Sequence, residues 1–161
     1  MTAKDVIRHS MGLSRSVLTQ YLADLTDEDL MVRPVPGANH IAWQLGHLII
    51  CENGLNEIGY PMPALPEGFA ESYTKETAGS DDPAKFHKKA QYIELLEQQR
   101  AAALAHLEAL PDADLDKPGP EEARAYAPTV GAVFNTLGLH DMMHASQFTV
   151  VRRRLGKPPL F

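Results

Sequence analysis

One cysteine, Cys51, stands alone among 161 residues. An intrachain disulfide is therefore impossible, and a reducing compartment fits best. Long apolar runs are also missing: the strongest, residues 41–51, is too short to cross a bilayer and contains Gln44 and His47. Positive charge is scarce. Fifteen Lys and Arg against 21 Asp and Glu leave a net charge of −6, which argues against a general nucleic-acid binder, since such proteins present a basic face. The one basic cluster, Arg152, Arg153, Arg154 and Lys157, falls where a last helix should end, and compensation of the helix dipole accounts for it. There is no alternating strand pattern of any length, no internal repeat and no linker between two domains. The opening Met-Thr-Ala-Lys-Asp leads into a polar helical segment and not into an apolar signal region. These absences together predict one cytoplasmic domain over residues 1–161, free of membrane and nucleic acid.

What is present is helical. The chain is 44% apolar and 22% charged, ordinary for a globular protein, and long enough for a real core. Residues 2–25 carry Val6, Ser10, Leu13, Val17, Tyr21 and Leu25 at helical spacing. Thr26 is placed to cap a short turn, which Pro34 and Pro36-Gly37 stop. A second helix is expected over residues 39–58, ended by Gly59 and Pro61. A helix so apolar nearly all round is either central or covered by a partner subunit. Residues 59–80, rich in Pro and Gly, form a long irregular segment that is functional or draped over the surface. Asp82-Pro83 reads as the N-cap and first residue of a third helix, which carries Phe86, Ala90, Ile93, Leu96, Leu104 and Leu107 and ends near Leu110-Pro111. A short turn is expected over residues 112–115. Pro128-Thr129 opens the last helix, and Gly156, Pro158 and Pro159 close it. Four helices of this length predict an all-α four-helix bundle.

The chemistry concentrates in the last helix. Val130, Val133, Leu137, Val151 and Leu155 mark a stripe whose steps pass through His140, His144 and either Gln147 or Phe148. Two imidazoles four residues apart share one face. Facing the core with nothing to hold, they would be costly polar burial, and a metal ion gives both a partner. His47, one of two strongly polar groups in the apolar stretch of the second helix, is the third candidate, because bundle cores bring such faces together. Three neutral imidazoles leave a coordination position open, the pattern of a catalytic metal, and they suit zinc, nickel or iron better than calcium or magnesium. A single core histidine is more often simply hydrogen-bonded, so that reading stands beside the metal one. Two rival metal schemes fit poorly. A ferritin-like centre needs Glu-x-x-His, which is absent. A His-Glu-x-x-His peptidase site is imitated only with Asp141, and no third ligand follows His144. His9, His87 and His106 fall on polar faces and read as surface. Around the proposed centre, Gln44 and Gln147 could orient a ligand, and His40 could line the pocket entrance. Cys51 shares a stripe with His47 as a lesser candidate for a fourth ligand. Asp141 points about 100° away from His140 and suits a structural role better than that of a base.

Ile41-Ala42-Trp43-Gln44-Leu45-Gly46-His47-Leu48 after Arg33-Pro34 resembles the second-helix motif of the DinB/YfiT-like superfamily. His140-x-x-x-His144-x-x-Gln147 with Leu155-Gly156-Lys157-Pro158-Pro159 resembles its last-helix motif, with Ser146 where the family often has glycine. The resemblance covers essentially the whole chain. It implies an up-down-down-up four-helix bundle, often a homodimer, with a divalent metal held by His47, His140 and His144. It also implies chemistry on a small-molecule substrate: thiol-dependent transfer or isomerisation using a low-molecular-weight thiol, or hydrolysis. Two other readings stay open: a non-catalytic bundle with a structural or sensory metal and a dimerisation role, and a metal-free interaction protein.

Overall fold

Caps, and not propensity alone, set where this chain winds. In the computed structural model, which describes residues 1–158 and 160, four helices account for most of the regular structure. They are α1 (Ala3–Leu22), α2 (Ile41–Asn53), α3 (Lys89–Ala109) and α4 (Val130–Arg154). The described residues contain no strand, only one isolated bridge between Pro118 and Thr129. Thr2 and Asp5 cap α1 reciprocally, the Thr2 hydroxyl accepting the Asp5 N–H and the Asp5 carboxylate accepting the Thr2 N–H. Thr129 accepts the Ala132 N–H at the start of α4. The expected turn after α1 forms at Asp29–Met31, with Thr26 and Asp29 bonded reciprocally. The second helical segment does reach Ile58, but its last part, Gly54–Ile58, is a tighter 3₁₀ turn closed by Gly59 at φ 89°.

The start of the third helix differs from expectation. Asp82 does cap, accepting the Ala84 N–H, but only the short turn Pro83–Lys85. Phe86 is extended, and its ring is buried against His40. The long helix begins only at Lys89, where the Gln91 side chain accepts the Lys88 N–H. The buried face of α1 is also displaced by one position. Ile7, Met11, Leu18 and Leu22 enter the core, whereas Val6 and Leu13 are about half exposed. Nor is the basic cluster merely a solvated helix end: Arg152 is buried, pairs with Asp24 and donates to the Tyr21 and Pro158 carbonyls. Pro159 lies outside the described residues.

The contacts fix the helix directions. Along α1 and α4, Gly131 lies near Ile7, Gly138 lies against Ser10 and Met11, Asp141 pairs with Arg15, and Arg152 meets Tyr21. Those numbers rise together, so the two helices are parallel. Lys4 reaches the Leu110 carbonyl while Lys89 reaches that of Leu22, so α3 runs opposite to α1. Gln44 meets His144 and His47 meets His140, so α2 runs opposite to α4. The result is an up-down-down-up bundle. A Cβ at Gly138 would lie 3.1 Å from the Met11 nitrogen, so glycine there permits the close approach of α1 and α4.

Two apolar clusters fill the bundle. One holds Leu18, Ile49, Leu96 and Ala145, and the other Met11, Leu55, Ala103 and Leu137. Between them each helix contributes one buried charge: Arg15, Glu52, Arg100 and Asp141. Arg15 contacts Glu52 at 2.7 Å and Asp141 at 2.9 Å, and Arg100 contacts Glu52 at 2.6 Å and Asp141 at 3.0 Å. The Arg100 Nε–Glu52 Oε1 contact is a close ion pair but not an aligned hydrogen bond. Arg15 also donates to the Leu96 carbonyl and Arg100 to that of Met11. Two cations and two anions cancel, which makes a charged layer tolerable inside a core.

Candidate metal centre

On the antiparallel faces of α2 and α4, side chains one turn apart come into register. His47 lies between Gln44 and Cys51 on α2, and His140 and His144 face it from α4. The His47 ring centroid is 5.1 Å from that of His140 and 5.4 Å from that of His144; the α4 pair are 4.8 Å apart. His140 Nε2 and His144 Nε2 approach to 3.1 Å. The three proposed histidines are thus brought together.

Tetrahedral ligation at about 2.1 Å would place ring nitrogens about 3.4 Å apart and ring centroids about 5 Å apart. The three centroid separations and the one close nitrogen pair, His140 Nε2 with His144 Nε2, lie near these values. A group able to hold a metal is also present by direct geometry: ligand atoms of His47, Cys51 and His140 all lie within 4.8 Å of one another. His47, Cys51 and His140 fit a divalent ion; His144 lies outside that group and meets it through His140.

Surroundings prepare these rings. Gln44 is buried, and its carboxamide oxygen lies 2.8 Å from His144 Nδ1, while its nitrogen donates to the Asn39 carbonyl at 2.6 Å. With its nitrogen committed as a donor, Gln44 can only accept from Nδ1–H, which leaves the His144 Nε2 lone pair facing His140. Trp43 stacks on His47 with planes 10° apart, and the indole N–H is anchored on the Thr74 carbonyl. Burial lowers the pKa of all three histidines. For His144 it falls to about 3, from burial first and then from the proximity of His140 and His47. Neutral imidazoles with directed lone pairs are the form that ligates. Burial pushes the Cys51 thiol up to about 11, so without a metal it stays protonated near neutral pH.

The remaining candidates fall in different places. His40 does not line an entrance. It is fully buried, its Nδ1 accepts the Trp43 N–H as the cap of α2, and its Nε2 meets the Ser80 carbonyl. A cap needs an acceptor close to the backbone, and the His40 Nδ1 lone pair supplies it. Asp141 is turned away from the histidines into the buried charged layer. Gln147 is half-buried, one turn beyond His144, and among the described residues makes no hydrogen bond with the histidines. His87 is not a surface residue: it packs on Phe69 and its Nδ1 lies 2.7 Å from the Tyr73 hydroxyl.

A cavity of about 650 Å³ opens beside His47, Cys51 and His140. Its walls are mostly apolar and come from α2, α4 and the connection before α4, with Ile50, Tyr126, Val133 and Met143 among them. That volume suits a small molecule. The 59–80 segment covers a different side of α2, where Tyr73 lies over Gly46. Sequence reasoning missed the cavity wall from residues 120–127 because an irregular segment carries no periodic signal.

The sequence model of the DinB superfamily matches residues 11–148, most of the chain. A conserved protein from Enterococcus faecalis, known from its crystal structure, superposes with a TM-score of 0.68 at 15% identity, over 98% of this chain and 99% of that one. At such identity the likeness speaks for the fold alone. No curated protein matches significantly.

Proposed function

This chain belongs to the DinB superfamily, and on that premise we propose that it is a metal-dependent enzyme acting on a small molecule. His47, His140 and His144 would hold the ion, which zinc, nickel or iron could supply. The reaction proposed is thiol-dependent transfer or isomerisation, with hydrolysis as the neighbouring possibility. The observation that carries the reading is the cavity of about 650 Å³ that opens on His47 and His140, because a purely structural metal has no need of one. A divalent ion there would supply Lewis acidity, making a thiol or water nucleophilic near neutral pH. The protein's own part is orientation. Gln44 holds His144 in the tautomer that presents Nε2, and Trp43 braces His47. The mostly apolar cavity wall would bury part of a bound substrate's surface.

The proposal extends to a cytoplasmic protein acting as a homodimer. Among the described residues no helix is long and apolar enough to cross a membrane. Leu13 on α1, with Leu139, Met142, Met143 and Val150 on α4, leaves large apolar side chains exposed, and these would supply a self-association surface. The test of activity is a screen of low-molecular-weight thiols against small electrophiles. Turnover that stops on chelation and returns with zinc is expected; turnover indifferent to chelation would overturn the proposal.

A further inference from the structure

Resting on that metal reading, we infer that Cys51 is a fourth ligand, so that the centre is a four-donor site of three imidazoles and one thiolate. Each of two antiparallel helices then offers a chelate one turn long: His47 with Cys51 from α2, and His140 with His144 from α4. Cys51 Sγ lies 3.6 Å from His47 Nε2 and 3.8 Å from His47 Nδ1. A tetrahedral ion with a metal–sulfur bond of about 2.3 Å and a metal–nitrogen bond of about 2.1 Å would hold sulfur and nitrogen about 3.6 Å apart. The thiol also lies within 4.8 Å of the His140 donor. The second observation is His144. It is only 7% exposed, Gln44 occupies its Nδ1, and its Nε2 turns to the same side chain, His140, that Cys51 approaches. Donor atoms of His47, Cys51 and His140 therefore gather around one point from both helices, and His144 adjoins them through His140.

On binding, the Cys51 S–H proton passes to solvent as the sulfur–metal bond forms, with no change of oxidation state. Such a donor set selects borderline ions such as zinc or cobalt(II) over magnesium or manganese. It also changes how the cavity works. A ligand entering beside His47 and His140 must displace Cys51 or add as a fifth donor, so Cys51 acts as a built-in competitor for the open position.

The experiment is an optical titration of metal-free protein with cobalt(II) in thiol-free buffer. Because the chain has one cysteine, any thiolate-to-cobalt charge-transfer band in the near ultraviolet comes from Cys51. The expected result is that band, growing to one equivalent together with the visible bands of tetrahedral cobalt. Cys51→Ser should lose the charge-transfer band while still taking up one equivalent. Tetrahedral cobalt without the charge-transfer band in the wild type would overturn the fourth ligand and leave the three-histidine reading intact. No cobalt uptake by a folded wild type would overturn both.

Discussion

Asp141→Asn removes one of two negative charges from a layer that all four helices share. Both of its partners, Arg15 and Arg100, are less than a tenth exposed and contact Asp141 at 2.9 and 3.0 Å. Only Glu52 would remain to balance two guanidinium groups. Breaking a buried pair on one side costs about 3–5 kcal/mol, because the charge left behind has lost both water and partner. For a chain of this size each kcal/mol moves Tm by about 2–4 °C, so the expected fall is about 6–20 °C. Both guanidinium groups donate to the same oxygen of Asp141, Oδ2, and an Asn amide oxygen placed there can still accept both, which places the result toward the lower end. The assay is thermal unfolding by circular dichroism on metal-free protein, paired with metal content after reloading. A large loss of stability with a retained metal equivalent is expected. An unchanged Tm with lost metal would refute it, and would mean that Asp141 serves the ion and not the bundle.

Gln44→Leu should keep the fold but weaken metal binding by about 10–100-fold in a chelator competition, because nothing then fixes the His144 tautomer. Gly46→Ala should destabilise by about 1–3 kcal/mol in denaturant unfolding. The new Cβ would lie 2.2–2.4 Å from the Tyr73 ring, and that ring is pinned through its hydroxyl to His87 and Tyr92. Metal-free protein should lose stability on acidification. His144 stays neutral in the fold down to about 3, whereas in the unfolded chain it takes up a proton below its ordinary 6.5. The unfolded state binds more protons throughout that window, so stability falls as pH drops through it, by at most about 1.4 kcal/mol per pH unit for this group. Denaturant midpoints of the metal-free protein that stay flat from pH 6.5 to 4 would contradict this.

Much of the bundle was legible because caps and breakers act locally. Thr2, Thr129, Gly59 and Gly156 sit where helices start or stop. Where two local solutions exist, the sequence is ambiguous. Asp82-Pro83 is as good a cap for one turn as for a long helix, and burial of Phe86 against His40 decides for the turn. On α1, Val6 and Leu13 repeat with the helical period as well as Ile7, Met11 and Leu18 do, so apolar spacing alone cannot say which row faces inward. Arg15 does distinguish them, but only once its partners 37 and 126 positions away are in place. The three histidines were findable because imidazole on an apolar helix face is anomalous. His40 misled for the same reason: a buried capping imidazole and a pocket imidazole look alike in sequence.

In the proposed centre His47, His140 and His144 together hold a metal ion. Elemental analysis of purified, untagged protein beside its His47→Ala variant tests it most directly. About one equivalent of zinc, nickel or iron per chain is expected in the wild type, lost in the variant while the helical circular dichroism persists. A wild type without metal after incubation with excess divalent ions, or a variant with unchanged content, would contradict it.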